Sequence, residues 1–448
     1  MNASPPLVET VRQAVQPLTG DRADYDALLE LVADARLVLL GEASHGTHEF
    51  YKARCEITKR LLQDKGFTAV AVEADWPAAH RVNCYVRGVG SDQTANEALG
   101  EFQRFPTWMW RNADVLDFVG WLRAYNDQFA RYADKVGFYG LDLYSLYGSI
   151  QAVLRYLDKV DPEAANRARY RYGCFEDFGE DSHEYGHVAS FDLSASCEQE
   201  AIDQLIELRR SAAGYARRDG RVTEDEQFFA EQNARVVKNA EEYYRSMFRG
   251  RVSSWNLRDQ HMATTLQALM DHLSRLPGRP ARLVVWAHNS HLGDARATEV
   301  SEHGEWNVGQ LVRERCGAEA VLVGFSTYSG TVTAASNWDE PPRRRQVRPA
   351  LDESYEAMFH AVAGPDFYLR LRGGSERLVL GLRQPRLERA IGVVYRPETE
   401  RLSHYFRARL SDQFDAVLHC DQTRAVEPLE RTAGWNRGEV PETYPTAV

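Results

Sequence analysis

The sequence is poor in cysteine and contains no long apolar run. Its 448 residues include six cysteines, which are scattered and form no C-x-x-C pair. This spacing argues against a disulfide framework or a cysteine zinc site and fits a reducing compartment. The apolar runs are far too short to cross a membrane, and the N-terminus lacks the basic region and apolar run of a signal peptide. We therefore expect a cytoplasmic protein.

Several familiar motifs are also missing. The chain has no G-x-S-x-G elbow, no G-x-G-x-x-G and no G-x-x-x-x-G-K-[ST]. A serine-hydrolase elbow, a Rossmann cofactor and a P-loop are therefore not supported. We find no internal repeat and no low-complexity tract, and we expect no cofactor.

An excess of positive charge is absent as well. The formal net charge is -11, which argues against non-specific binding to nucleic acid or to an anionic membrane. The composition, 44% apolar and 27% charged, is that of an ordinary globular protein. We expect a small-molecule substrate as the partner, and no nucleic acid or membrane. The sequence carries no signal for an oligomeric state.

Short apolar runs alternate with helical patterns through most of the chain, which is typical of a mostly parallel sheet flanked by helices. Charged, alanine-rich helices replace the strands from about residue 160 to 276. We therefore predict an α/β fold in which residues 1–159 and 277–448 form the two parts of a catalytic core and residues 160–276 form a helical insertion or lid. The predicted strands are 36–40, 68–72, 135–141, 282–287, 320–325, 366–371, 390–395 and 414–418. The predicted insertion helices are 197–218, 223–248 and 253–276, with a loop at 174–190 and another around 341–345.

Four of the predicted strands are followed at once, or within two positions, by an ionisable residue. These residues are Glu42, Glu73, Asp142 and His288. Parallel strands bring their carboxyl ends to one edge of a sheet, where α/β proteins bind ligands. A single polar strand end is unremarkable, but four of them, two with further histidines close by, indicate a functional site.

The residue types at this edge suit hydrolysis by an activated water. A histidine beside a carboxylate is a good general base, a role that we assign to His45. Glu42 and Glu73 are placed to orient that histidine or the water. His288 is suited to protonate a leaving alkoxide or to stabilise an oxyanion, and Arg54 is suited to the latter. We expect an ester or lactone as the substrate.

Two other readings of the same residues stay open. The pairs His45-x-x-His48 and His288-x-x-His291, with the two glutamates, could form a zinc site with an open position. They lack the helical H-E-x-x-H frame of many zinc hydrolases. The third reading is a non-enzymatic binding protein whose helical insertion closes over a small molecule.

Six motifs in order resemble those of the erythromycin esterase family. They are Gly41-Glu42-Ala-Ser-His45-Gly-Thr-His-Glu49-Phe50, Val72-Glu73-Ala-Asp75-Trp76, Thr107-Trp108-Met109-Trp110-Arg111, Gly140-Leu-Asp142, Arg258-Asp259-x-x-Met262-Ala263 and Ala287-His288-Asn289-x-His291. The resemblance runs from about residue 36 to at least 331. It implies metal-independent hydrolysis of a macrolactone ester, with His45 as the base, Glu42 and Glu73 supporting it, and His288 and Arg54 as further members of the active site.

Further side chains at these motifs and strand ends are expected to bind the substrate. They are Trp108, Trp110, Asp142, Tyr144, Arg258, His291 and Tyr328. The tryptophans also have a plainer explanation as core or lid packing. His48 and Glu49 are expected at the N-terminus of a helix, in supporting roles, and His404 is a weaker candidate for reaching the edge of the sheet.

Overall fold

The computed structural model describes residues 5–178, 181–191, 196–218, 224–248, 250–275, 280–362, 364 and 366–437. Strands of the described residues alternate with helices, as the sequence predicted. The strands are β1 (Val15–Pro17), β2 (Leu37–Leu40), β3 (Ala69–Asp75), β4 (Gly137–Asp142), β5 (Leu283–Trp286), β6 (Ala320–Ala334), β7 (Arg343–Val347), β8 (Phe367–Arg370), β9 (Arg386–Arg389), β10 (Tyr405–Ala408) and β11 (Ala416–Thr423).

Nine of these strands form one central sheet. Its order is β1-β8-β11-β6-β2-β5-β3-β4, and β7 pairs with the distal half of β6. The six strands from β11 to β4 run parallel. β8 and β7 run antiparallel to their neighbours β11 and β6, and β1 pairs antiparallel with β8. The prediction of a mostly parallel α/β sheet is confirmed. Both faces are covered, which explains why β2 and β5 read as unbroken apolar runs.

Helices cover the two faces of the sheet and build the segment between β4 and β5. They are α1 (Pro5–Ala14), α2 (Asp26–Val32), α3 (His48–Lys65), α4 (Trp76–Arg87), α5 (Ala95–Ala98), α6 (Ala113–Asn126), α7 (Leu146–Val160), α8 (Pro162–Tyr172), α9 (Ser182–Phe191), α10 (Glu198–Arg218), α11 (Glu224–Met247), α12 (Arg251–Ser274), α13 (Asn289–Leu292), α14 (Val308–Cys316), α15 (Tyr355–His360), α16 (Glu376–Leu382), α17 (Glu400–Ser403), α18 (Leu410–Gln413) and α19 (Ala433–Arg437). Helix α3 ends at Gly66, whose left-handed conformation forms the C-cap.

The alternation of side chains along each strand divides the apolar core between the two faces. Val38 and Leu40 of β2 pack in the cluster that includes residues of α3, α4 and α6. Leu37 and Leu39 pack in the opposite cluster, with residues of α12, α14 and α15. The burial of each leucine side chain stabilises the fold by about 1.5–3 kcal/mol. The core therefore holds the carboxyl ends of the parallel strands in a fixed register.

The helices between β4 and β5 divide into two groups. Residues of α7 to α11 form a cluster of their own, which includes Ala165, Tyr185 and Val237. Helix α12 instead contributes Met262 and Leu266 to the cluster on the sheet. The predicted helices 197–218, 223–248 and 253–276 correspond to α10, α11 and α12. The division of the chain into core and insertion stays a prediction.

Three local predictions are wrong. Most of the predicted loop 174–190 is helical, in the 3₁₀ segment Gly173–Phe178 and in α9; residues 179 and 180 lie outside the described residues. The predicted strand 390–395 makes only isolated bridges through Ile391 and Val394. Ile391 and Tyr395 pack in a small separate cluster, whereas Val393 and Val394 pack against the large cluster on the sheet. The loop predicted around 341–345 runs into β7, where three consecutive arginines gave no apolar signal.

The sequence also gave no sign of a disulfide. Cys174 and Cys197 are bonded, and they join the 3₁₀ segment Gly173–Phe178 to the start of α10. Their separation of 23 residues belongs to no motif, so only the tertiary fold reveals the pair. Among the helices of the described residues, none has the length and apolarity to span a bilayer. A cytoplasmic location stays a prediction.

Candidate active site

The parallel strands bring the four predicted strand-end residues to one edge of the sheet. Strands β2, β5, β3 and β4 are neighbours in that order, and Glu42, His288, Glu73 and Asp142 lie at or just beyond their carboxyl ends. The loops are joined directly: the His288 backbone N–H donates to Glu73 Oε2 at 2.9 Å. A cavity of about 580 Å³ opens at this edge, within the usual range for ligand sites.

His45 is held by a buried carboxylate. Its Nδ1 lies 2.9 Å from Glu42 Oε1, and Glu42 Oε2 lies 2.6 Å from Arg54 Nη2. Glu42 and Arg54 are fully buried, and the Arg54 guanidinium also packs over the rings of Tyr51 and Trp286. A carboxylate that accepts from Nδ1–H fixes the tautomer of the imidazole. Nε2 is then the nitrogen of His45 that is left as a base, and His45 lines the cavity.

Glycines allow the loop after β2 to follow this path. A Cβ on Gly41 would lie 2.1 Å from Asn289 Oδ1, and one on Gly46 would lie 1.8 Å from the Thr333 carbonyl oxygen. Asn289 in turn donates its backbone N–H to the Glu42 carbonyl at 2.8 Å. The loop that carries His45 is therefore pressed against β6 and α13 at positions where only glycine fits.

His288 presents the complementary group to the cavity. The Ser290 backbone N–H donates to His288 Nδ1 at 3.2 Å, so the proton of a neutral ring lies on Nε2. Nε2 is buried and has no hydrogen-bond partner within the described residues. Burial, together with the nearby His45, holds the pKa of His288 well below its usual value, against the opposing effects of Glu73 and the Ala43 carbonyl. The two imidazole rings are 4.9 Å apart, centre to centre.

Glu73 and Asp142 share one arginine from α12. Arg258 Nη2 donates to Glu73 Oε1 at 2.6 Å, and Arg258 Nε and Nη2 donate to Asp142 at 3.0 and 2.7 Å. Burial works to raise the pKa of Glu73, but the charges of His291, Arg258 and His45 outweigh it and hold that pKa well below the ordinary value. Glu73 therefore stays ionised beside the two histidines of the cavity.

His291 is fixed by a second aspartate. Its Nδ1 lies 2.9 Å from both oxygens of Asp259, and Trp255 stacks on its ring at 4.5 Å. Nε2 lies 3.0 Å from Arg258 Nη1 and 3.4 Å from Glu73 Oε1, so a neutral ring would accept from Arg258 and a charged ring donates to Glu73. The two carboxylates favour the charged ring: burial lowers the pKa of His291, but Asp259 and Glu73 outweigh it and raise the pKa to about 9.

The cavity gathers most of the residues that the sequence singled out. Those that line it are His45, Glu73, His288, Trp110, Asp142, Tyr144, Arg258 and His291. Glu42 and Arg54 lie behind His45. His404 also lines the wall, although the sequence made it a weak candidate.

Two expected substrate-binding residues are placed elsewhere. Trp108 is fully buried in the core, with its ring packed edge-on against Phe105. Tyr328 stacks on His360 at 3.7 Å and is not part of the cavity wall. Both follow motifs or strands that do reach the site, but chain position alone does not show which way a side chain points.

The hypothesis of a zinc site is not supported by the arrangement of side chains in the described residues. The described ranges contain no group of three or more His, Cys, Asp or Glu side chains arranged to hold a metal ion. His48 does not join His45, because its Nδ1 lies 2.9 Å from Asp114 on α6. Glu49 accepts a hydrogen bond from Arg424 on the surface. His48 and Glu49 lie at the N-terminus of α3, as expected.

Comparison with known proteins identifies the family to which the chain belongs. The family model for erythromycin esterase matches residues 62–423. The chain belongs to the erythromycin esterase family. The family resemblance is therefore confirmed; the first of the six motifs, residues 41–50, lies before the matched range.

Two relatives share low identity with the chain over long stretches. The erythromycin esterase type II of Escherichia coli is 23% identical over 325 residues, which cover 69% of this chain and 73% of that protein. The "Putative hydrolase YbfO" of Bacillus subtilis is 20% identical over 436 residues, which cover 91% and 89%. The family and these relatives support a hydrolase.

Solved structures confirm the fold. A succinoglycan biosynthesis protein superposes with a TM-score of 0.75 at 21% identity, over 94% of this chain and 98% of that one. An erythromycin esterase mutant in its open conformation superposes with a TM-score of 0.67 at 15% identity, over 92% and 96%. At these identities the likeness concerns the architecture alone.

Sequence reasoning missed several residues that complete the site. Asp259 supports His291, Trp255 stacks on it, and Asn289 ties α13 to the Phe325 carbonyl through its side-chain amide at 2.7 Å. Asp259 and Asn289 directly follow residues that were selected, so the motif itself was the available signal. On the opposite wall, Arg104 pairs with Asp75 through two bonds of 3.0 and 3.1 Å.

A buried carboxyl pair lies behind the cavity wall. Glu388 of β9 and Glu356 of α15 are both buried, and one oxygen of each has no hydrogen-bond partner among the described residues. The amides of Gln413 and Asn289, which line the cavity, favour the charged form of Glu388, but burial and the charge of Glu356 outweigh them and raise the pKa of Glu388 to about 8. Glu388 is therefore uncharged near neutral pH.

Replacing this carboxyl should change the pH dependence of stability. A folded protein with a raised pKa at Glu388 keeps a proton that the unfolded chain releases, so its free energy of unfolding falls as pH rises from about 4.5 to about 8. The variant Glu388→Gln removes this loss because glutamine resembles the protonated acid. We expect it to be more stable than wild type by a few kcal/mol at pH 8 and nearly equal at pH 4.5, by urea denaturation. The exposed Glu376→Gln is the control, and parallel curves for wild type and Glu388→Gln would show that the carboxyl titrates normally.

Proposed function

We propose that the protein hydrolyses a carboxylic ester or lactone with a water molecule that His45 activates. The observation that carries the proposal is the fixed state of His45: Nδ1 is held by the Glu42 carboxylate, while the ring lines the cavity. A neutral imidazole fixed in this way has a basic Nε2 at the place where substrate and water must meet. The roles expected for Glu42 and His288 fit around it, whereas Arg54 is buried behind Glu42, outside the cavity wall, and supports that carboxylate instead of an oxyanion.

The chemistry proceeds in two steps. The water oxygen attacks the ester carbonyl carbon while His45 Nε2 takes one proton, which gives a tetrahedral oxyanion and an imidazolium. Glu42 stabilises that imidazolium. The His288 Nε2–H has no hydrogen-bond partner in the part of the chain that the structure describes, and it is suited to donate to the oxyanion. Collapse of the oxyanion breaks the bond to the alkoxide, which takes the proton from His45, and the carboxylic acid then ionises.

The charges around the two histidines fit these roles. Arg54 pairs with one oxygen of Glu42 from the buried side, and the other oxygen of that carboxylate orients His45. Glu73 is ionised and bonds to the His288 backbone N–H, which fixes the loop that carries the oxyanion donor. Glu42 and Glu73 therefore fix the positions of the two histidines.

The cavity wall supports a sizeable substrate with apolar and polar parts. Trp110 and Tyr144 supply aromatic surface, and Asp142, Arg258 and His291 supply charge. The name of the Escherichia coli relative supports a macrolide lactone as one candidate. Tyr243 of α11 lies 3.2 Å from the hydroxyl of Tyr144, which supports a role for residues 160–276 as a lid over the site.

Mass spectrometry of the purified protein incubated with macrolides, simple lactones and aryl esters tests the proposal. We expect at least one compound to gain the mass of one water, and the rate to survive a chelator. Loss of turnover on chelation, restored by zinc, would favour the metal-dependent alternative. A compound that binds but is recovered unchanged throughout would favour the binding-protein alternative.

A further inference from the structure

One side of the cavity mouth carries large apolar side chains that are open to solvent. Leu402 is 88% exposed and Trp338 is 55% exposed, and both line the cavity. Val393, between them in the fold, lines the same wall. An exposed apolar patch that continues a binding cavity marks a surface for a ligand more often than an accident of packing.

The support of Trp338 is rigid. It lies in the turn between β6 and β7, and its ring packs against Phe105 at 4.9 Å. Arg396 fixes this turn, since its guanidinium donates to the Ser336 carbonyl at 3.1 Å and to Asn337 Oδ1. The indole is therefore held at the mouth rather than folded into the core.

Leu402 is held in a comparable way. It lies on α17, whose Glu400 forms an ion pair of 3.1 Å with the buried Arg389 and accepts from the Tyr395 hydroxyl at 3.1 Å. The residue after α17 is also held in place, because His404 Nε2 accepts from the Arg396 backbone N–H at 3.2 Å. Arg396 thus connects the supports of both apolar side chains into one surface.

Another part of the cavity wall has a different character. Glu299, Val300 and His303 of the 3₁₀ segment Glu299–His303 line it, followed by Glu305. A ligand that fills the cavity therefore meets hydrocarbon at Trp338 and Leu402 and mostly polar groups at this segment. The apolar side is fixed before binding, so little conformational entropy is lost when a ligand covers it.

We propose that Trp338 and Leu402 form a subsite for an apolar substituent of the substrate that projects out of the catalytic cavity. The proposal rests on the proposed esterase function. It assigns the substrate to esters or lactones that carry a hydrocarbon extension or face beyond the reacting carbonyl, in preference to small polar esters. Leu402 and Trp338 determine this specificity and take no part in the chemistry.

Paired substrates test the subsite. We expect the variants Leu402→Ser and Trp338→Ala each to lower kcat/KM for p-nitrophenyl octanoate several-fold, and the double variant to lower it about tenfold or more, through KM. Hydrolysis of p-nitrophenyl acetate should be unchanged, because a two-carbon acyl group does not reach the mouth. Leu380→Ser is the matched control, since Leu380 is 49% exposed on α16, away from the cavity.

The outcomes separate the subsite from the esterase function. Equal effects on acetate and octanoate, or no effect on octanoate, would overturn the subsite while leaving hydrolysis intact. If wild type cleaves neither ester, the panel of macrolides and lactones still decides the proposed function, and calorimetric binding of octanoyl p-nitroanilide decides the subsite instead. That amide should bind wild type and Leu380→Ser equally and the double variant about tenfold more weakly; equal binding to all three would overturn the subsite.

Discussion

The variant His45→Ala is expected to lose ester hydrolysis by roughly 10³-fold in kcat, the size of effect that removing a general base produces. Like His291, His45 lines the cavity with an imidazole oriented by a buried carboxylate. The Nε2 of His291 is engaged by Arg258 and Glu73, so we expect that ring not to replace His45. KM should change little because water, rather than substrate, is its target. The measurement is steady-state hydrolysis of whichever ester or lactone wild type cleaves.

His48→Ala is the matched control, three residues along the same loop and helix start. His48 bonds Asp114 and is absent from the cavity wall, so its loss should leave kcat within about twofold of wild type. Circular dichroism and thermal unfolding establish that both variants fold. Activity near that of wild type in a folded His45→Ala would refute the role of His45 as the base.

The variant Arg54→Met is expected to lose about 3–5 kcal/mol in the free energy of unfolding, together with most of its activity. Arg54 and Glu42 are both fully buried, and their charges are 2.6 Å apart. Removing the guanidinium leaves a buried carboxylate without its cation, and the Glu42 that holds His45 must then take up a proton or move. Urea denaturation measures the loss in stability.

A double variant shows whether the ion pair is the cause. Glu42→Gln combined with Arg54→Met removes both charges and should recover much of the stability that Arg54→Met loses, without recovering activity. Lys52→Met on the same helix is a surface control, because Lys52 is exposed, and it is expected to change stability by less than about 0.5 kcal/mol. If the double variant is as unstable as the two single losses added together, the ion pair does not explain the burial of Arg54.

The sequence was a good guide to the centre of the fold because parallel strands are buried on both faces. β2, β3, β4 and β5 therefore appear in the sequence as short apolar runs, and an ionisable residue of the candidate site follows each run. The polar strands β9 and β10 pair with each other in a separate two-stranded sheet. Their sequences therefore show neither a short apolar run nor a candidate catalytic residue at its end. The apolar run at 390–395 misled for the converse reason, since its side chains pack without joining a ladder.

The site could be predicted where its residues follow strands and much less where they come from helices. His45, Glu73 and His288 were found from strand ends alone. Arg258 reaches Glu73 across 185 residues of sequence, and the pairing of Asp259 with His291 depends on how α12 packs against the sheet. The exposed Leu402 and Trp338 gave no sequence signal, because exposure at a cavity mouth is a property of the folded surface.

The most direct test of the central claim is hydrolysis in H₂¹⁸O followed by mass spectrometry of both products. Attack of an activated water on the ester carbonyl places one ¹⁸O in the carboxylate and none in the alcohol, and we expect that pattern with wild type and almost no product with His45→Ala. Label in the alcohol, or conversion without uptake of water, would contradict the account.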